Sequence, residues 1–453
     1  MNRKIIHIAA IIFALCTGVA NAQLISTIAG DTTVGDAGYG GPATAAHLNL
    51  VFAMATDAGG NIYMADYANS RICRLGTDGI ITSIAGTGTA GASTTGGPAT
   101  STLINDPLGI AISPDGNIYF CDSRNNCVKK IDKSGLMHMV AGADTAAGYG
   151  SGFSGDGGPA TAARLTQTCD ILFDKAGNAY ISDIQNGRIR KIGTDGIITT
   201  FAGGDTVERD GVPATNTMLD GPGAMAIDAA GNIYVVTGPF NTGKIKKIGT
   251  DGVINTIAGN GTFNMLDPGD GDLAIAVGFD EIEGIAVDAA GNIFFTQPYS
   301  SRVRKIDNSG VLSTVCGNGR TGYNGDGGYA MYAELNTPVG VAFDHKGNLL
   351  ISESGDVRSV NYAVSTAVSV ENRTDNELAV APNPSTGNFI LRVSTAANEP
   401  VDVTILNVTG QVVRRFTTNS NTAVPVSLHE PAGNYFISAA TASGKWLQQI
   451  VIK

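Results

Sequence analysis

Short apolar runs separated by polar, glycine-containing turns recur along most of the chain. Residues 173–204 show the pattern clearly, with apolar and polar positions alternating in runs such as Asn-Ala-Tyr-Ile-Ser-Asp and Ile-Ile-Thr-Thr-Phe-Ala. Gly and Asn supply the positive φ angles that tight turns need, and Ile, Tyr, Thr and Phe suit a half-buried sheet. The segment therefore predicts four short strands joined by turns.

The same unit occurs six times. Its first turn ends in Gly-Asn in every copy, and successive turn glycines are 54 to 61 residues apart. These glycines are Gly60, Gly116, Gly177, Gly231, Gly291 and Gly347. A four-stranded unit at this period is typical of a β-propeller blade, which must pack against its neighbours to bury both faces. The pattern predicts an all-β chain with a six-bladed β-propeller.

The two ends of this repeat region complement each other. Residues 24–30 read as a fourth strand without the first three, and the sixth copy stops near Tyr362 without a fourth strand. We expect residues 24–30 to complete the sixth blade and close the ring, which removes exposed sheet edges. A long loop follows each fourth strand, and Pro159 in one of them predicts a helical turn that begins at the proline.

The repeats resemble a known family. Gly284-Ile-Ala-Val-Asp288, Gly291-Asn-Ile-Phe-Phe and Arg302-Val-Arg-Lys-Ile306 resemble the motifs of NHL repeats, and the resemblance covers residues 24–362. It implies a six-bladed propeller. It does not imply one function, because NHL propellers serve as binding platforms, enzymes and scaffolds.

The C-terminal part of the chain has a different pattern. Residues 363–378 are polar, lack the repeat and are interpreted as a linker. Residues 379–453 contain short strands around motifs such as Gly387-Asn-Phe389, and they resemble the type A C-terminal sorting domain of the Bacteroidota type IX secretion system. The resemblance implies a small β-sandwich that the export machinery reads. That domain is usually removed while the cargo is attached to the cell surface or released.

The first 22 residues are interpreted as a signal peptide and excluded from the fold. A basic start, an apolar run too short for a comfortable membrane span and the sequence Ala20-Asn21-Ala22 predict cleavage between Ala22 and Gln23. A lipoprotein anchor at Cys16 is disfavoured, because Leu15 stands where a small residue is expected. No other segment predicts a membrane span. The predicted location is secreted or on the outer-membrane surface, after transit through the periplasm.

Composition narrows the possible partners. The chain has 60 Gly, 43% hydrophobic residues and a formal net charge of −11. These values suit a turn-rich β protein and, with no basic cluster, argue against nucleic-acid binding. The predicted partners are the type IX secretion machinery, through residues 379–453, and an extracellular protein, peptide or glycan.

Five cysteines follow the signal peptide. Cys121 and Cys127 flank the loop between the second and third strands of one repeat, and export to an oxidising compartment favours a disulfide between them. The alternative is two unrelated thiols. The sequence assigns no partner to Cys73, Cys169 or Cys316.

Residues able to support catalysis are scattered. The four histidines of the mature chain fall in separate places, and the first strands, which line a propeller's channel, offer no titratable ring. The recurring aspartate before each Gly-Asn turn is interpreted as structural, because its side chain can bond backbone groups two residues on. Asp66, Asp122 and Asp183 are expected to pair with Arg71 and Arg188 across their hairpin loops, a grouping that serves structure.

One acidic stretch, residues 267–283, is distinctive. Asp267, Asp270 and Asp272 lie in a loop whose clustered oxygens could bind Ca²⁺, although the spacing does not match an EF-hand. A solvated acidic loop is the alternative. No cofactor is otherwise predicted.

The sequence favours a binding or scaffold protein over an enzyme. The predicted binding surface is the face that carries the long loops between blades, where tyrosines would suit carbohydrate or protein contacts or simply pack the loops. The alternative is an extracellular lyase or hydrolase that uses loop carboxylates and a divalent cation.

Overall fold

The structure is a computed structural model, and the part of the chain that it describes falls into two compact units with a boundary between residues 364 and 365. The described residues are 23–93, 95–142, 151–238, 243–264, 269–362, 377–381, 385, 387–395, 398–407, 411–428, 430–441 and 445–452. The predicted cleavage site therefore lies at the edge of this part, with Ala22 outside it and Gln23 inside.

Six antiparallel sheets, here called sheets I to VI, contain the strands of the first unit. Sheet I holds β2 (Val51–Thr56), β3 (Ile62–Asp66), β4 (Arg71–Leu75) and β5 (Ile81–Ala85). Sheet II holds β6 (Pro107–Ile112), β7 (Ile118–Asp122), β8 (Cys127–Ile131) and β9 (Met137–Ala141). Sheet III holds β11 (Thr168–Phe173), β12 (Ala179–Asp183), β13 (Arg188–Ile192) and β14 (Ile197–Gly203), with the short β10 (Gly158–Pro159) at its edge.

The remaining three sheets repeat this order. Sheet IV holds β16 (Met225–Ile227), β17 (Ile233–Thr237), β18 (Lys244–Ile248) and β19 (Val253–Ala258), with β15 (Val212–Pro213) at its edge. Sheet V holds β20 (Ile285–Val287), β21 (Ile293–Gln297), β22 (Arg302–Ile306) and β23 (Leu312–Cys316). Sheet VI holds β24 (Gly340–Phe343), β25 (Leu349–Ser352) and β26 (Val357–Val360), and its fourth strand is β1 (Ile25–Ala29).

The N-terminal strand completes the last sheet, as the sequence predicted. Ile25 pairs with Val360 and Ser26 with Ser359 in antiparallel register. The side chain of Ile25 is fully buried in the core between sheets V and VI.

The hydrophobic core of the first unit lies between neighbouring sheets. Six clusters of buried apolar side chains each combine residues of two adjacent sheets, and the last of them joins sheet VI to sheet I. The first strands of the sheets also contact one another in cyclic order, with β24 next to β2. The sheets are therefore arranged around a central channel lined by their first strands.

Each long loop ends in a short 3₁₀ helix before the next first strand. Six of the eight described 3₁₀ helices lie in these loops: η1 (Ala43–Ala45), η2 (Ala99–Ser101), η4 (Ala160–Ala162), η6 (Ala214–Asn216), η7 (Ala274–Ala276) and η8 (Ala330–Tyr332). The other two, η3 (Ser123–Asn125) and η5 (Ile184–Asn186), lie between the second and third strands of sheets II and III. The predicted helical turn after Pro159 is present, but the proline is its N-cap, with an extended ψ of 131°. The turn begins one residue later than expected.

The second unit is also built from strands. A three-stranded sheet holds β27 (Glu377–Ala381), β28 (Asn388–Ser394) and β31 (Ala423–Ser427); a four-stranded sheet holds β29 (Pro400–Asn407), β30 (Val412–Asn419), β32 (Gly433–Ala440) and β33 (Lys445–Ile452). Buried residues of both sheets, such as Phe389 and Ile437, belong to one hydrophobic cluster. This unit therefore has its own core.

Candidate functional site

The repeated aspartates hold turns, as predicted. Asp174 accepts hydrogen bonds from the amides of Ala176 and Asn178, from the Asn178 side chain and from the Tyr180 hydroxyl. Burial raises the pKa of Asp174, but these bonds outweigh it and the net shift is downward. Corresponding turn bonds are made by Asp57, Asp228, Asp288 and Asp344. This set is structural.

The predicted Cys121–Cys127 disulfide is wrong. In sheet II, Cys121 lies opposite Val128, and Cys127 lies opposite Asp122. Successive side chains of a strand point to opposite faces, so the two sulphur atoms lie on opposite sides of the sheet. All five described cysteines are in the thiol form.

The predicted pairing of Arg71 and Arg188 with strand-end aspartates is also wrong. Arg71 pairs instead with Asp36 of the long loop, at 2.6 Å, and the guanidinium of Arg188 stacks on Phe153. The buried partner of Asp183 is Arg190, two residues further along the strand, at 3.5 Å. Both arginines lie on the same face of the sheet as Asp183, but the Arg188 guanidinium is held by Phe153 and the Asn186 carbonyl.

Buried cations at this third-strand position also anchor the long loops. They are Lys129, Arg190, Lys246, Arg304 and Arg358, each at most 2% exposed. Four of them pair with a loop aspartate, namely Arg190 with Asp156, Lys246 with Asp210, Arg304 with Asp270, and Arg358 with Asp326. The loops are therefore fixed to the sheets by ion pairs with one buried partner.

This pattern accounts for one candidate calcium ligand. Asp270 lies 3.1 Å from Arg304 and accepts a hydrogen bond from Thr314. Asp272 is exposed, and Asp267 lies outside the described residues. In the described ranges, no group of three or more Asp, Glu, His or Cys residues is placed to hold a metal ion.

The histidines occupy separate places. His47 lies 3.4 Å from Asp31 in the first long loop, and His138 lies 2.7 Å from Asp132 at the edge of sheet II. His345 is in the turn after β24, and His429 is outside the described residues. The three described histidines do not converge on one site.

The central channel contains a cavity of about 340 Å³. Its walls are the first strands of all six sheets, and the lining side chains are almost all apolar, including Met54, Ile110, Leu172 and Ile285. Among the described residues that line it, Asp170 is the one ionisable side chain. A cavity of this size and polarity is typical of a small-molecule site.

Asp170 lies on β11, at the end of the channel where the long loops enter. Its carboxylate accepts hydrogen bonds from its neighbour's amide, Ile171, at 2.8 Å, and from the amide of Met225 in sheet IV, at 2.7 Å. Burial raises the pKa of Asp170 to about 6, and the two amide donors oppose this shift. The carboxylate is thus largely ionised at neutral pH.

Gly109 makes the space for this carboxylate. A Cβ atom on Gly109 would lie 2.5 Å from the Asp170 Cα atom and 2.6 Å from its Oδ1 atom. The corresponding residues of the other units are Ala53, Ala224, Gly284 and Gly340. Five of the six units therefore have glycine or alanine at this position of the first strand, and the unit of sheet III has the charged Asp170.

Further carboxylates lie at the channel mouth. Glu283 directly precedes Gly284 of the channel wall; its pKa is raised to about 8, by burial and by the charge of Glu281. The charge of Glu281 also raises the pKa of Tyr299, which is 59% exposed. Burial, with the charges of Asp170 and Glu283, keeps the pKa of the Cys169 thiol well above its usual range. This end of the channel is electronegative.

In the sequence, the pattern Ile-Leu-Phe predicts that the first strand of sheet III begins at Ile171. In the structure this strand, β11, begins at Thr168 and includes Asp170. An alignment of the six units on their turn glycines contains the missing signal, because it sets Asp170 against alanine or glycine. Glu281 and Glu283 belong to the acidic stretch noted in the sequence, but their place at the channel depends on the fold.

Two family descriptions match parts of the chain. The NHL repeat matches residues 105–131, and the secretion system C-terminal sorting domain matches residues 379–453. The chain thus carries NHL repeats in a β-propeller and a sorting domain for export by the type IX secretion system to the secreted or cell-surface compartment. No helix in the described part of the chain is long and apolar enough to cross a membrane.

Relatives among curated proteins are much longer. Human teneurin-4 is 26% identical over 290 residues, which are 56% of this chain and 10% of teneurin-4. Human teneurin-1 is 25% identical over 375 residues, which are 74% of this chain and 13% of teneurin-1. The chain therefore spans only a small part of these relatives.

Solved structures from Bacteroides share the fold. A structural genomics protein of unknown function from Bacteroides thetaiotaomicron has a TM-score of 0.54 and 18% identity, and covers 75% of this chain and 76% of its own. An auxiliary nutrient binding protein from Bacteroides ovatus has a TM-score of 0.53 and 12% identity, with the same coverage. At these identities the likeness concerns the propeller fold alone.

Proposed function

We propose that this protein is an exported binding protein that holds a small ligand in its central channel. In this proposal the six sheets are the blades of one closed six-bladed propeller, and the second unit is a small β-sandwich that the secretion machinery reads. The ligand enters from the face that carries the long loops. That end of the channel has the carboxylates and leads to the apolar cavity.

Asp170 is the observation that carries the proposal. A charged side chain in an otherwise apolar wall costs free energy of folding, because burial disfavours its ionised form. Five other units have alanine or glycine where sheet III has Asp170. A polar group placed in this way within an apolar cavity is the arrangement by which binding sites orient a ligand.

The long loops form a firm rim around this entrance. Their aspartates are held by buried cations, and Tyr39 donates a hydrogen bond to Asp66 at 2.7 Å. Tyr323 is likewise bonded to Asn336. These two tyrosines therefore pack the loops, while Tyr299 and Tyr332 are exposed and available for contact.

Proteins of similar fold from Bacteroides also serve in binding. Auxiliary nutrient binding proteins of Bacteroides are propellers of similar architecture, and we extend a binding role to this chain as part of the proposal. We assign no catalytic step. Cys169 is a poor candidate nucleophile, because its raised pKa keeps the thiol protonated. Chelator-sensitive turnover of an extracellular polymer would instead favour the lyase or hydrolase alternative.

Binding is tested with the mature full-length protein on arrays of small metabolites, peptides and glycans, with calcium and with chelator. We expect small-molecule binding that is independent of calcium and is weakened in Asp170→Asn. Asp205→Asn, which changes a half-buried loop carboxylate paired with Arg209 at 2.7 Å, is the matched control. Binding that Asp170→Asn leaves unchanged would place the ligand site elsewhere.

A further inference from the structure

We propose that the channel cavity takes an organic cation, meaning an ammonium or guanidinium group attached to an apolar body of modest size. This inference rests on the proposed function, since it names the ligand class of the same cavity. The charged end of the ligand would contact Asp170, and its apolar part would lie along the first strands.

The charge of the cavity supports a cation. The described side chains that line it include no Lys, Arg or His, and no ion pair with a described residue involves Asp170. Its two hydrogen-bond donors are backbone amides, which carry no net charge. A ligand cation would supply the missing countercharge, and in a partly desolvated site such a charge-assisted bond is strong.

The charge at the mouth of the channel is also negative. The charge of Glu281 opposes ionisation of Glu283, and the charges of Asp170 and Glu283 both act on Cys169. Gly223, the corresponding residue of sheet IV, has no side chain to separate Cys169 from Glu283. A cation would be attracted towards the cavity, and an anion would be repelled from it.

The lining also disfavours a sugar. A glycan needs several hydrogen-bond partners once it leaves water, and among the described lining side chains only the Thr56 hydroxyl and Asp170 are polar. Apolar side chains of Met54, Ile110 and Leu172 would instead contact methylene groups or an aromatic ring. The cavity volume of about 340 Å³ suits a ligand of roughly ten to fifteen heavy atoms.

The test uses three probes that share a phenylethyl body and differ in the charge of the attached group: phenethylamine, 2-phenylethanol and 3-phenylpropionate. Isothermal titration calorimetry of the mature full-length protein at pH 7.5 should show binding of the amine, binding of the alcohol at least about tenfold weaker, and no binding of the acid. Asp170→Asn should weaken amine binding by about ten- to hundredfold and leave alcohol binding unchanged. Asp205→Asn should alter neither affinity.

The pH profile is a second readout that needs no variant. Amine affinity should fall as the pH is lowered through about 6, because protonation of Asp170 removes the countercharge. Alcohol affinity should stay constant. If Asp170→Asn does not fold, this profile decides the question.

The outcomes separate the two proposals. Equal affinity for amine and alcohol, or a pH-independent amine affinity, would overturn the cation inference and leave the cavity as a binding site. No binding of any probe, together with no hit on the metabolite array, would overturn the channel site itself. Preferential binding of the acid would overturn the inference as well.

Discussion

The Oδ2 atom of Asp170 accepts a hydrogen bond from the backbone amide of Met225, 2.7 Å away in the neighbouring sheet. The bond joins β11 to β16 at the loop end of the channel. It fixes the carboxylate at the cavity wall, so the position of the proposed ligand contact depends on how closely sheets II, III and IV approach one another.

Gly109→Ala should disturb this position. Its new Cβ atom would lie 2.5 Å from the Asp170 Cα atom, which is backbone and cannot rotate away. We expect a loss of about 1–3 kcal/mol in the free energy of unfolding, together with weaker ligand binding. Urea titration and calorimetry with the amine probe would measure the two effects. Gly97→Ala, where a Cβ atom meets nothing within 4 Å, is the control and should change neither.

Asp356→Asn should stabilise the protein at neutral and higher pH. Asp356 is 1% exposed, and among the described residues its carboxylate completes no well-aligned hydrogen bond. Its pKa is raised to about 7 by burial, with the charge of Asp326 adding to this and the charge of Arg358 and the side chain of Thr27 opposing it. Nearby Glu353 is also buried, and its pKa is raised to about 8.

The direction of this pH dependence follows from the raised pKa of Asp356. In the unfolded chain an aspartate ionises near pH 4, so between about pH 4 and 7 the folded protein holds a proton that the unfolded chain has released. The contribution of Asp356 to stability therefore falls as the pH rises through this window. Asp356→Asn should match the wild type near pH 4 and exceed it at pH 8, by on the order of 2 kcal/mol.

Urea titrations at pH 4, 6 and 8 measure this difference. Asp228→Asn is the opposite case, because hydrogen bonds from Asn232 outweigh burial and lower the pKa of Asp228. That variant should lose stability at pH 8. A destabilised Asp356→Asn at pH 8 would mean that the carboxylate has a partner, such as an ordered water.

Lys129→Met should be strongly destabilising. The Lys129 Nζ atom lies 2.7 Å from Asp122, and both side chains are buried. Removing the cation leaves a buried carboxylate without its countercharge, which typically costs about 3–5 kcal/mol. The double variant with Asp122→Asn should recover part of the loss. A double-mutant cycle of urea midpoints tests this, and purely additive losses would contradict the ion-pair account.

Features set by local chemistry were predictable from the sequence. The turn aspartates follow from the spacing of Asp and Asn in each unit, and strand β1 follows from the missing strand of the sixth copy. Both depend on residues that are close in sequence or repeat in register. The sorting domain was likewise recognisable from motifs within its own stretch.

Features that depend on strand register or on contacts between distant segments were not predictable from the sequence. The disulfide failed because one step of strand register separates Cys121 from Cys127 across the sheet. The ion pair of Asp183 was missed because Arg188 and Arg190 both share a face with Asp183, and the choice between them depends on Phe153 of the long loop, on which Arg188 stacks. Asp170 was hidden because its role depends on Gly109 and Met225, which come from two other repeats.

Ile25→Ala tests the closure of the ring. Ile25 is the first residue of β1 and fully buried between sheets V and VI, while Ser26, next to it, is exposed. Removing its outer methyl groups loses apolar burial and leaves a cavity, which typically costs about 2–5 kcal/mol. Ser26→Ala should change the free energy of unfolding by less than about 0.5 kcal/mol.

Hydrogen exchange would show where the loss acts. If β1 holds the ring together, Ile25→Ala should speed amide exchange in β26, which pairs with it, more than in β13 of sheet III, on the far side of the ring. Equal acceleration in both strands would mean that the six sheets unfold as one cooperative unit. No change in either the urea midpoint or exchange would mean that the sixth sheet is stable with three strands, and that β1 covers its edge without supporting the fold.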